Sequence, residues 1–149
     1  DASVRLANSI KDQLLANLGL KINVVAVRKA DFLQRTTLHA EKMILAGWGA
    51  DYADAHSFLS AYHSVSGSDR LGWKNDRYDS LLDQADRAND QTIRRVMYRN
   101  ALSILLVEQA RIVPLYFTTQ TVAHARRVKN LVPRLLDGLR LDELEVTFP

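Results

Sequence analysis

Two hydrophobic periodicities alternate over the first 48 residues, and no other feature constrains the fold as much. Residues 4–18 place Ala7, Ile10, Leu14 and Leu18 on one helical stripe, widened by Leu15. Ser3 is expected as the N-cap and Gly19 as the C-terminal stop. Ile22 to Val27 is a short β-branched run of the kind that forms a buried strand. A second helix is expected from about Ala30 to Ala40, with Phe32, Leu33 and Leu38 apolar, and a second buried strand over residues 43–48. Helix, strand, helix, strand in that order marks an α/β layer with parallel strands joined by right-handed crossovers.

The rest of the chain reads as mostly helical. Phe58, Leu59 and Tyr62 suggest a short helix, and a polar loop follows from Ser64 to Lys74, with Trp73 anchoring it to the helix below. A helix is expected over residues 76–88 with Tyr78, Leu81, Leu82 and Ala85 inward. Asn89-Asp90 breaks it, and the longest helix runs from Gln91 to Glu108 on a stripe of Ile93, Val96, Met97, Ala101, Ile104 and Leu105. Residues 112–117 read as a strand in which Pro114 calls for an edge or a bulge. Thr121 to Ala125 is read as a continuation and Glu145 to Phe148 as a last strand.

Composition removes several function classes. The 149 residues are 47% hydrophobic and 25% charged, which fits one globular domain with a real core. No apolar run reaches the roughly 18 residues of a membrane span. There is no Cys, hence no disulfide framework, thiolate site or thiol nucleophile. The net charge of +3 is spread along the chain; the clusters Arg94-Arg95-Arg99 and Arg126-Arg127-Lys129 read as solvated surface, so no nucleic-acid partner is expected. The chain starts without Met or a signal peptide and reads as a piece of a longer protein.

Catalytic motifs are missing: no glycine-rich phosphate loop, no serine elbow, no His-Glu-x-x-His. His39, His56, His63 and His124 have no fixed convergence, so they read as ordinary histidines, with no metal and no cofactor. Asp51 and Asp54 allow three readings: an acid–base pair, turn and cap residues, or a cation receptor. Asp51 follows a predicted strand, where open α/β sheets present ligands, beside aromatic side chains that suit an ammonium group. Recognition is favoured for Asp51 and capping for Asp54. Trp48 lies between Gly47 and Gly49, so it is either core or a pocket wall that the glycines let a backbone approach, with φ values other residues avoid.

The string Ala46-Gly47-Trp48-Gly49-Ala50-Asp51-Tyr52-Ala53-Asp54 resembles the signature of the extracellular solute-binding proteins of peptide ABC importers, the oligopeptide- and dipeptide-binding family. Three further segments fall in that family's order. They are the Ser3–Gly19 helix followed by the 22–27 strand, Gly72-Trp73-Lys74-Asn75-Asp76-Arg77-Tyr78-Asp79, and Ala110-Arg111-Ile112-Val113-Pro114-Leu115-Tyr116. The resemblance implies an α/β lobe of a periplasmic-binding-protein clamshell, type II-like and without its N-terminal lobe. Residues 1–119 would form the C-terminal ligand-binding lobe and 120–149 a tail that crosses to the other lobe.

It also implies a non-enzymatic protein that captures peptides between two lobes. Asp51 would pair with the peptide α-ammonium, Trp48 would line the cleft, and Tyr52 and Gly49 would complete the ligand-binding set. The implied partners are a peptide and a membrane permease; the implied location is the periplasm or the cell surface, with or without a membrane tether. A tail parted from its lobe implies self-association of the 149 residues alone. Two positions depart from the pattern. Leu45 stands where some oligopeptide binders carry an arginine that meets a ligand carboxylate, and Asp54-Ala55 stands where the family favours Asp-Pro. Three alternatives follow: another solute on the same fold (a nickel complex, haem or a sugar), the ligand-sensing domain of a transcription regulator, or an enzyme using Asp51 and Asp54.

Overall fold

Helix α1 spans Ala2–Leu18 in the computed structural model, which describes residues 2–37, 42–66, 72–119, 121–133, 138–140 and 142–147. Its first helical residue precedes Ser3, so Ser3 lies within the first turn rather than capping it. Gly19 ends the helix as expected. At φ 68° it turns the chain so that the amides of Gly19 and Leu20 reach the carbonyls of Leu15 and Leu14. The apolar stripe of α1 buries no residue; Leu15 and Leu18 are exposed. Helix α2 is Lys29–Thr37, starting one residue before the expected position; Leu38, His39 and Ala40 lie outside the described residues.

The core forms where three short helices meet. Helix α3 (His56–Leu59) continues into a 3-10 turn, Ser60–Tyr62. Helix α4 (Asp76–Arg87) is capped by the Asn75 side chain, which accepts the Tyr78 amide. Helix α5 (Gln91–Ser103) is capped by Asp90, whose carboxylate accepts the amides of Thr92 and Ile93 and is held below its ordinary pKa by those bonds. A π-helical turn, Ile104–Glu108, extends α5. Ala110 then adopts φ 45°, a left-handed conformation that closes the helix end.

Leu59, Trp73, Tyr78, Leu82, Ala85, Tyr98, Ala101, Ile104 and Leu105 form one buried cluster. The inward face of α4 is the expected one. On α5 the stripe is rotated: Ile93 and Val96 are exposed and Tyr98 is buried instead. A phenol ring with a satisfied hydroxyl is buried more readily than a residue count of apolar positions suggests. Tyr78 shows this most clearly, with its hydroxyl donating to the Leu59 carbonyl at 2.7 Å and its ring meeting Trp73 edge-on at 5.0 Å. Trp73 thus anchors its loop to the helix below; within that loop, residues 67–71 lie outside the described residues.

The strands differ from expectation. Residues 22–27, 43–48 and 112–117 form no ladder among the described residues, and no parallel pair is present there. A strand is stable only when a neighbour takes its backbone hydrogen bonds, and no described segment forms such a ladder with these three. They are correspondingly exposed rather than buried at Val25, Met43, Val113, Tyr116 and Phe117. The ladders that do form are two antiparallel pairs near the C-terminus: β1 (Val128–Lys129) with β4 (Glu145–Val146), and β2 (Val132–Pro133) with β3 (Leu139–Arg140). Thr121–Ala125 forms no strand, whereas β4 lies within the last run predicted.

Candidate ligand-binding site

The segment Trp48–Asp54 has no regular secondary structure and is held by hydrogen bonds to the start of α3. The Trp48 indole Nε1–H donates to the Ser57 carbonyl at 3.1 Å, and the Asp51 amide donates to the Ser57 hydroxyl oxygen at 2.7 Å. Ser57 itself is buried. The Asp54 amide closes a tight turn onto the Tyr52 carbonyl. Asp54 does serve the first turn of α3, although the N-cap position is Ala55: its carboxylate accepts the His56 amide at 2.8 Å. The same carboxylate forms an ion pair with Arg94 of α5 at 3.1 Å, a role the sequence reading missed.

Arg94 joins a closed polar ring. Its guanidinium donates to the Tyr98 hydroxyl at 2.7 Å, and that hydroxyl donates to Asp86 at 3.4 Å. Asp86 lies 3.0 Å from His56 Nε2, and His56 Nδ1 is hydrogen-bonded to the Tyr52 hydroxyl. A carboxylate only accepts, so Nε2 carries the proton facing Asp86. In the neutral ring, Nδ1 then accepts from Tyr52. The rings of Tyr52 and His56 stack with centroids 6.1 Å apart. Partial burial, then Asp54, Asp86 and Asp51, push the Tyr52 hydroxyl above its ordinary pKa. Arg94 offsets part of the effect of these three carboxylates.

The four expected ligand residues fall together in one segment but differ in state. Trp48 and Tyr52 are partly exposed, at 37% and 46%. Trp48 is therefore not a core residue. Asp51 is exposed, and among the described residues its carboxylate has no ion-pair or hydrogen-bond partner, unlike Asp54. Gly47 and Gly49 do not adopt positive φ, so the expected unusual backbone is not found. A Cβ added at either would meet nothing within 4 Å, so any close approach there comes from something outside the described residues.

A second cluster is structural. Asp79 accepts the amide and hydroxyl of Ser64, and His63 lies 3.7 Å from Asp79 and 3.4 Å from Asp83. The element 72–79 therefore works as a unit: Trp73 and Tyr78 fill the core, Asn75 caps α4, and Asp79 ties down the turn after Tyr62.

No family model matches the chain. It is 30% identical over 128 residues to the dipeptide-binding protein DppE of Bacillus subtilis, covering 86% of this chain and 23% of that protein. It is 40% identical over 70 residues to the probable deoxycholate-binding periplasmic protein YgiS of Escherichia coli, covering 47% of this chain and 13% of that one. Among solved structures, OppA of Listeria monocytogenes bound to peptide superposes with a TM-score of 0.75 at 28% identity, covering 97% of this chain and 28% of that one. The chain thus spans about a quarter of the length of DppE. Over most of its length, the chain is thus similar in sequence and fold to one part of the peptide-binding solute-binding proteins.

Proposed function

We propose that these residues form one wall of a peptide-binding cleft, and that Asp51 receives the α-ammonium of the ligand. One observation carries this reading. Asp54 is occupied by Arg94 and the His56 amide, whereas the exposed Asp51 carboxylate has no ion-pair or hydrogen-bond partner among the described residues, in a segment whose Trp48 and Tyr52 are also partly exposed. A free carboxylate in an aromatic-bearing segment suits an ammonium group. The peptide-binding relatives support the same ligand class. Residues 1–119 are read as the ligand-binding lobe and 120–149 as a tail crossing to the other lobe. The protein hands peptides to a membrane permease outside the cytoplasmic membrane and performs no catalysis. No helix among the described residues is long and apolar enough to cross a membrane.

The test is a titration of the intact protein with peptides bearing free or acetylated N-termini, and with deoxycholate as a third ligand. Asp51→Asn should weaken free-amino peptides by about 2–5 kcal/mol, since a desolvated ammonium loses its charge partner. Acetylated peptides should bind poorly to the wild type and lose little more in the variant. Free-amino binding within twofold of wild type, or equal losses for both peptide forms, would refute the assignment. Tight deoxycholate binding with no peptide binding would replace the ligand class.

A further inference from the structure

We infer that Ser57 is a positioning residue that sets Asp51 and Trp48 as one preformed unit; this rests on the site reading above. Trp48 and Asp51 lie in a segment without helix or strand, so regular secondary structure does not fix their separation. Both are instead tied to one residue. The Ser57 carbonyl accepts the Trp48 indole N–H at 3.1 Å, and its hydroxyl oxygen accepts the Asp51 amide at 2.7 Å. Ser57 is 3% exposed and lies in the first turn of α3, whose Leu59 belongs to the core cluster. The clasp thus transmits the rigidity of the core to a surface loop. A residue whose backbone is held in place before the ligand arrives loses less freedom on binding, which favours affinity. The ties are chemically separable, because replacing the side chain removes the bond to Asp51 and leaves the carbonyl for Trp48.

Hydrogen exchange in the ligand-free, intact wild type gives the first test. The Asp51 amide should exchange about tenfold more slowly than those of Tyr52 and Ala53, which have no such partner among the described residues, as one net hydrogen bond implies. Ser57→Ala should abolish that protection and Ser57→Thr, which keeps the hydroxyl, should retain it. Fast exchange at Asp51 in the wild type overturns the clasp, whether or not either variant folds. In titrations, Ser57→Ala should weaken free-amino peptides about tenfold and acetylated peptides less than twofold, with no further loss on an Asp51→Asn background. Equal losses for both peptide forms overturn the positioning role and leave a structural one. Normal free-amino binding by Ser57→Ala, with Asp51→Asn impaired, overturns the positioning role alone. A protected Asp51 amide with normal binding by Asp51→Asn overturns the site reading and the positioning role with it.

Discussion

Tyr78 shows what a single buried hydroxyl contributes. Its ring is fully enclosed, and its hydroxyl donates to the Leu59 carbonyl at the end of α3. Tyr78→Phe leaves that carbonyl without this donor and should cost about 1–3 kcal/mol in urea unfolding. Burial pushes the phenol above its ordinary value near 10, with smaller contributions from Tyr62 and Asp79. The folded state therefore holds this proton more tightly than the unfolded chain. The stabilisation is complete below the unfolded pKa and falls as pH rises from about 10 toward the folded value. Tyr78→Phe should lack this alkaline loss, so the two stability profiles should converge above pH 10. Parallel profiles across that range would show that ionisation of Tyr78 is not coupled to folding.

At the scale of elements, helix ends were read more reliably than strands. Gly19, Asn89-Asp90 and the Trp73–Asp79 element act through local backbone chemistry, which is written in the adjacent residues. Asn75→Ala removes the side-chain oxygen that accepts the Tyr78 amide and should cost about 1 kcal/mol, seen as a lower urea midpoint at constant slope. Ser57 and Arg94 were missed for the opposite reason. Each acts through partners six to forty residues away, Ser57 on Asp51 and Arg94 on Asp54, and no periodicity reports such pairs. The apolar runs at 22–27 and 43–48 read as buried strands, and 112–117 as a strand with an edge or bulge at Pro114, because composition reports what a segment prefers. It does not report whether a neighbouring strand is at hand. The rotated face of α5 has a similar origin, since counting aliphatic residues passes over a tyrosine whose hydroxyl is satisfied inside.

Across the described residues, burial concentrates in and around α3, α4 and α5, while apolar side chains without cover run from Val113 to Phe117, the last 95% exposed. Apolar stretches of this kind, with free strand edges, seek another chain. The 149 residues alone should therefore sediment with a concentration-dependent mass. Limited proteolysis should cut within residues 113–119 before it cuts α4 or α5. A concentration-independent monomer with residues 113–119 as resistant as α5 would contradict this. The open surroundings of Gly49 lead somewhere else. A substituent there meets no atom of the described residues within 4 Å, and these 149 residues contain no cysteine. Gly49→Cys would thus place the sole thiol of these residues two positions from Asp51, where an attached fluorophore would turn ligand capture into an optical signal.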